Sequence, residues 1–195
     1  MDIRNLMDFL NLRYAFKHLN ESGLKLTGNV HLLHTRGDKI LWNAWEPTHN
    51  TFTTEGMARL LNIIFGDQSK AGSAIFYVGI FKNNVTPTVG NTASACLGAA
   101  GTYGECQDAD YDSPATNKPA YTIVTTATAS CTNAASAASF TMAASITVYG
   151  AFLSTSTAKT AVDGYLFAGK KFGTARAVID NDLLAVTYVV SLTTS

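Results

Sequence analysis

Segments rich in β-branched and aromatic residues recur along the C-terminal half of the chain, separated by turn-forming residues. In the last of them Leu184, Val186, Tyr188 and Val190 take every second position, which is the spacing of a half-buried strand. Residues 180–182 form the turn before it. The sequence predicts strands at residues 120–126, 138–142, 145–154, 164–172 and 182–192.

A β-hairpin is predicted at residues 30–45. Two segments of strand-forming residues flank Arg36-Gly37-Asp38, where Gly37 can adopt the positive φ that a tight turn needs. Trp42 and Trp45 cannot share one face under strict alternation. A bulge or the end of the strand is therefore expected near Trp45.

Residues 52–81 predict a strand-helix-strand unit. Thr53 or Thr54 can cap the helix by accepting a hydrogen bond from a backbone N–H, and Glu55 suits its positive N-terminal end. One apolar stripe at helical spacing follows, and we expect it to be buried: Met57, Leu60, Leu61 and Ile64. Residues 75–82 then predict a strand that is apolar on both faces and therefore central in its sheet.

The N-terminal residues 1–28 differ from the rest because they are more charged and lack the alternating pattern. They predict an amphipathic helical arm, distinct from a β domain at residues 29–195. Its apolar side is formed by Leu6, Phe9, Leu10, Leu12, Phe16 and Leu19. Such an arm docks onto a neighbouring subunit or onto its own sheet, or is an ordinary terminal helix packed on its own core.

Residues 88–119 are polar and rich in glycine and proline, which predicts a long loop that is functional or bridges subunits. Together with the strands and a single short core helix, this pattern predicts a mainly β protein. The expected architecture is an antiparallel β-sandwich or a jelly-roll-like domain.

The chain carries few charges, 14% against roughly 25% in an average soluble domain. Its 14 basic and 14 acidic residues cancel to a formal net charge of +0. This balance argues against a nucleic-acid partner, because phosphate binding needs clustered Lys and Arg, and it does little to oppose self-association. Low charge is common in chains that bury surface in an assembly, and it also suits a secreted domain with a neutral surface.

No membrane partner is expected, since no run of 18 or more apolar residues is present. The first residues include Asp2 and Asp8 where a signal peptide carries cations, and they lack a continuous apolar stretch. The sequence therefore predicts a protein without a readable export signal.

No arrangement of catalytic residues stands out. All four histidines lie in the first quarter of the chain, and neither a GxSxG element nor a Cys in a recognisable catalytic context accompanies them. Nucleotide-binding glycine motifs and HExxH are absent as well. We expect a protein that is not an enzyme, with no catalytic residues, cofactor or metal.

The sequence contains two weak metal-binding patterns. Asp108, Asp110 and Asp112 have the opening spacing of a calcium loop, but Ser113 and Pro119 stand where that loop needs Gly and Glu. A looser calcium site is the alternative to a polar turn. His31 and His34 point to opposite faces of a strand and are interpreted as solvated residues.

The remaining candidates are also better explained by structure. Cys96, Cys106 and Cys131 have no zinc spacing and are interpreted as free thiols, with a Cys96–Cys106 disulfide as the alternative. Arg36-Gly37-Asp38 matches an integrin-binding tripeptide, but a hairpin turn accounts for the same residues.

From residue 30 onward the order of elements resembles a family of small virion proteins of tailed bacteriophages. Residues 53–65 resemble the pattern N-E-G-L-x-x-L-L-D-x-x-F, and residues 76–81 resemble W-Y-I-G-L, with Phe76 where that family often has Trp. Further matching elements follow at Tyr111, Pro119-Ala120-Tyr121, residues 146–154, Leu166-Phe167-Ala168 and residues 181–188, the last resembling G-D-x-L-x-V-T-Y.

This resemblance implies a non-enzymatic capsid decoration (cement) protein on the virion surface, made in the host cytoplasm. The implied partners are the major capsid protein and other copies of the chain, in a dimer or trimer. The alternative is a tail or fibre-associated structural or receptor-binding protein, which exposed aromatic side chains at Tyr103, Tyr111 and Tyr121 would favour. The long loop, the arm and the polar strand faces are the expected contact surfaces.

Overall fold

Two antiparallel sheets packed face to face form the protein, in the manner of a β-sandwich. This computed structural model describes residues 23–66, 76–123, 128–159 and 161–194. The strands are β1 (Leu24–Arg36), β2 (Lys39–Trp45), β3 (Thr51–Phe52), β4 (Tyr77–Phe81), β5 (Tyr111–Ser113), β6 (Ser130–Thr132), β7 (Ala138–Met142), β8 (Ile146–Ser154), β9 (Leu166–Val178) and β10 (Asp182–Thr194). The helices are α1 (Thr54–Ile64) and α2 (Ala93–Cys96), with a 3₁₀ turn at Ala134–Ser136.

The larger sheet has six strands in the order β2-β1-β10-β7-β5, with β6 also paired to β10. The smaller sheet has four strands in the order β3-β9-β8-β4. The long pair β1–β10 aligns Leu24 with Thr194 and Arg36 with Asp182, so strands from the two ends of the described chain are neighbours. The predicted mainly β, two-sheet antiparallel architecture is confirmed.

Most predicted strands are present. β7 has the predicted bounds, β8 and β10 lie within two residues of theirs, and β9 continues to Val178. The hairpin is confirmed as β1 and β2, and its turn places Gly37 at a φ of 53°. Strand β2 ends at Trp45 as expected, whereas the bulge lies earlier in β2, where Leu41 is the extra residue opposite His34 and Thr35 of β1.

The β domain begins before residue 29, the predicted boundary with the N-terminal arm. β1 begins at Leu24, so residues 24–28 are part of the larger sheet, because Leu24, Leu26 and Gly28 pair with β10. The helix predicted within residues 1–22 lies outside the described residues.

Two strand predictions are wrong. β4 is an edge strand of its sheet, where a central one was expected. Its free edge is covered by loop backbone, since the N–H of Val78 donates to Pro119 O and the N–H of Cys106 donates to Ile80 O. Residues 120–123 form no strand and make only a single bridge, from Ala120 to Tyr77, while residues 124–127 of that prediction are not described.

The core lies between the sheets and takes alternate residues from both. Burial of these side chains stabilises the fold by about 25 cal/mol for each Å² of apolar surface removed from water. The larger sheet contributes Val30, Leu32, Phe140, Met142, Leu184, Val186 and Tyr188. The smaller sheet contributes Val78, Ile80, Val148, Ala151, Leu153, Ala168, Phe172 and Val178.

The expectation that α1 buries its apolar stripe is wrong. Only Gly56 of this helix is fully buried, while Leu61 is 55% and Ile64 57% exposed, and Phe65 just beyond the helix is 82% exposed. Leu60 is the member of the stripe that packs against the core. The helix therefore touches the sandwich along a narrow line and leaves apolar surface uncovered among the described residues.

Contacts at the start of α1 hold this end of the helix close against β9. Thr53 caps the helix by accepting from the N–H of Gly56 at 3.0 Å. The Glu55 carboxylate accepts from the N–H groups of Ala93 at 2.8 Å and Leu166 at 2.7 Å. A Cβ at position 56 would overlap the backbone of Phe167.

Substitution Gly56→Ala is therefore expected to destabilise the protein by about 1–3 kcal/mol, the usual range for overpacking, although Ala is the better helix former. Chemical denaturation measures this difference. Ala58→Gly at an exposed position of the same helix is the matched control and should cost about 1 kcal/mol through helix propensity. A stabilised Gly56→Ala variant would contradict the close approach.

Candidate functional site

The long loop at residues 88–119 packs as a second, small core. Its members are Phe81, Ala93, Cys96, Leu97, Tyr103, Phe152 and Leu166. The Tyr103 ring stacks on Phe81 with centroids 4.8 Å apart, and its hydroxyl donates to Asn91. The sequence pattern missed this core because its apolar residues follow neither a helical nor a strand period.

A buried ion pair within this loop also ties it to the segment after β8. Lys118 Nζ lies 2.8 Å from Glu105 Oε1 and also donates to Ala158 O at 2.6 Å. Glu105 Oε2 accepts from the N–H of Gly98 at 2.7 Å. Both side chains are at most 1% exposed. Burial raises the pKa of Glu105 and lowers the pKa of Lys118, and the two opposite charges counter both shifts.

Two of the three acidic residues of the calcium pattern, Asp108 and Asp110, face lysines. Asp110 accepts twice from Lys82 Nζ, at 2.7 and 2.9 Å, and Asp108 pairs with Lys159 at 3.0 Å. Lys159 is itself buried, donates to Tyr111 O and lies 3.8 Å from the centre of the Tyr111 ring. These lysines hold the acids in structural pairs. Within the described ranges no group of three or more His, Cys, Asp or Glu side chains is placed to hold a metal ion.

A second polar cluster lies at one end of the β1–β10 pair, where Arg36 is aligned with Asp182. The buried Asp182 accepts from Arg36 at 2.8 and 2.9 Å, contacts His34 Nε2 at 3.0 Å and accepts from the N–H of Ile179 at 2.9 Å. The hydrogen bonds from Arg36, joined by those from His34 and Ile179, hold the pKa of Asp182 well below its usual range.

This cluster revises two interpretations. His34 is only 3% exposed, so the expectation that it is solvated is wrong, while His31 lies on the opposite face against Trp45. The Arg36 of the integrin-like tripeptide is engaged with Asp182, which supports a structural reading of that turn.

The three cysteines and the three tyrosines that the sequence singled out are also structural. All three thiols are free, as predicted, and Cys96 and Cys106 are buried. Burial raises the pKa of both buried thiols, which keeps them protonated and unreactive near neutral pH. Tyr103, Tyr111 and Tyr121 are at most 6% exposed, so they do not form an aromatic binding surface.

An apolar groove opens between the two sheets, beside α1 and the start of β1, with a volume of about 330 Å³. Leu153 and Phe167 of the smaller sheet and Val190 of the larger sheet contribute to its lining. Leu60 of α1 lies at its edge, and Ile123 and Leu192 line it while remaining 45% and 40% exposed. We call this feature the interlayer groove.

Strand β2 forms an exposed edge of the larger sheet. It pairs with β1 on one side, and no other described strand pairs with it. Ile40, Leu41 and Trp45 on this strand are 36–58% exposed. An edge strand with free backbone groups and apolar side chains is a surface on which another chain can pack. We call it the β2 edge.

Comparison of the chain with protein-family models, with curated proteins and with solved structures gives no significant match. The helices of the described part are too short to span a membrane.

Proposed function

We propose that this chain is a non-enzymatic structural protein of a tailed-phage virion, a capsid decoration protein that stabilises contacts between major capsid subunits. It would lie on the capsid surface as a dimer or trimer after synthesis in the host cytoplasm. The proposal begins from the resemblance in element order between residues 30 and 195. The finer assignment of the sandwich as jelly-roll-like belongs to the same proposal.

The observation that carries the proposal is the β2 edge on a sandwich of low charge. Ile40, Leu41 and Trp45 are 58%, 36% and 55% exposed, which favours burial against another subunit. Three of the residues that the sequence offered as candidate metal ligands are already engaged: His34 with Asp182, Asp110 with Lys82 and Asp108 with Lys159. Because these side chains form ion pairs and hydrogen bonds within the fold, they favour a structural role for the protein over a reactive site.

The second candidate is a tail or fibre-associated structural or receptor-binding protein. It shares the same scaffold and edge strand. The burial of Tyr103, Tyr111 and Tyr121 removes the aromatic groove that favoured receptor binding. Copy number separates the two candidates.

Quantitative mass spectrometry of purified virions is expected to find this chain at hundreds of copies per particle. A count of a few copies would assign it to the tail and contradict the decoration role. Ile40→Glu and Trp45→Glu should each lower the number of copies incorporated, because a charge at the β2 edge opposes burial. The control Ala177→Glu adds the same charge at an exposed position of β9 and should leave incorporation unchanged.

A further inference from the structure

We propose that the interlayer groove is the docking site for the N-terminal segment of the same molecule, which seats apolar side chains of residues 6–19 in it. This inference is independent of the virion role. It concerns what covers an apolar surface that the described residues leave open.

The N-terminal segment joins the sandwich beside the groove. β1 begins at Leu24, and Leu26 already lines the groove. Leu192, which pairs with Leu26 across β1–β10, lines it too. Leu19 lies five residues before Leu24, so the Cα atoms of these two residues are at most about 18 Å apart. A tether of this length lets residues 6–19 reach the groove.

The groove and the segment are complementary in their apolar character. Most of the groove's lining is apolar and comes from both sheets, including Leu153, Phe167 and Val190, while Ser130 and Ser191 add hydroxyl groups. Residues 1–22 carry Leu6, Phe9, Leu10, Leu12, Phe16 and Leu19 at near-helical spacing. An amphipathic segment of this kind lays its apolar side into a hydrophobic groove. A volume of about 330 Å³ has room for a few such side chains and not for a whole helix.

The side of α1 beside the groove is also exposed. Leu60 lines the groove, Ile64 lies one turn further along the helix, and Leu61 follows Leu60 at about 100° around the axis. Both are more than half exposed. A docked segment that fills the groove would shield this adjoining surface. The short tether makes the encounter intramolecular, and its high effective concentration favours the chain's own segment over that of a second copy.

Limited trypsin digestion of the full chain tests the proposal, because Arg4, Arg13 and Lys17 are cleavage sites within the segment. The groove variant Ile123→Glu/Leu192→Glu and the segment variant Phe9→Glu/Phe16→Glu should each be cleaved at these sites about tenfold faster or more, since cleavage follows the undocked population. Ile40→Glu is the matched control. Ile40 pairs with Thr35 of β1. Thr35 lies nine residues from Leu26 along the strand, so Ile40 is roughly 30 Å from the groove.

Protection of the segment should be unchanged when the protein is diluted about a hundredfold, with a monomer mass by light scattering. Protection that disappears on dilution, together with a dimer mass, would make a second copy the occupant and overturn the proposal. Equal cleavage of all variants would overturn it as well. Circular dichroism checks that each variant folds, and if the groove variant does not, the segment variant decides alone. Neither result depends on the copy number in virions.

Discussion

Replacing Lys118 with Met is expected to lower the free energy of unfolding by about 3–5 kcal/mol, because it leaves the buried Glu105 carboxylate without its cation. The change also removes the donor to Ala158 O, which ties the loop to the segment after β8. Glu105 still accepts from the N–H of Gly98, but one backbone donor does not offset the burial of a charge. Urea unfolding at neutral pH measures the loss.

Two further variants show whether burial is the cause. Lys39→Met removes an exposed lysine of β2 and should change stability by less than about 0.5 kcal/mol. The double variant Lys118→Met/Glu105→Leu removes both charges and should recover most of the loss, since an apolar pair of similar size often replaces a buried ion pair at little cost. If the double variant is as unstable as Lys118→Met, the lost hydrogen bonds matter more than the unpaired charge.

Asp182→Asn is expected to cost about 2–4 kcal/mol at neutral pH, because charge-assisted hydrogen bonds from Arg36 and His34 become weaker neutral ones. These contacts hold together the ends of β1 and β10, the longest strand pair of the larger sheet. The exposed Asp180 in the same turn is the control, and Asp180→Asn should have an effect below about 0.5 kcal/mol.

The stability that Asp182 contributes should also depend on pH. Its pKa is lower in the folded protein than the usual value of about 3.9, so its contribution is present above that value and is lost as the pH falls below it. The gap between the native protein and Asp182→Asn should be full at about pH 5 and shrink below about pH 4. Thermal unfolding across this range measures it, and a gap that stays constant would mean the carboxylate is not specially stabilised.

Strands with clear alternation could be predicted closely. β7 and β10 were found because Phe140, Met142, Leu184 and Val186 mark one buried face by their spacing alone. Local turn chemistry was equally informative at Gly37 and Asn181, both of which adopt positive φ. These features depend on residues that are neighbours in the sequence.

Features that depend on contacts between residues distant in the sequence could not be predicted. The stripe on α1 indicated a helix with an apolar side but could not tell whether a partner covers it, and Leu61 and Ile64 are exposed. β4 was expected to be central because both its faces are apolar, yet loop backbone covers its edge. The loop itself was interpreted as polar, whereas Leu97 and Tyr103 make it a second core.

The amino-acid order determined which segments become strands, helix and turns, because backbone preferences and side-chain spacing act over a few residues. The tertiary structure decided which polar groups meet and which apolar surfaces stay open. Arg36 and Asp182 are 146 residues apart, and Glu55 and Leu166 are 111 apart, so no local pattern links them. The β2 edge and the interlayer groove were also decided by the tertiary structure, since an uncovered surface is defined only when all of the chain's own contacts have formed.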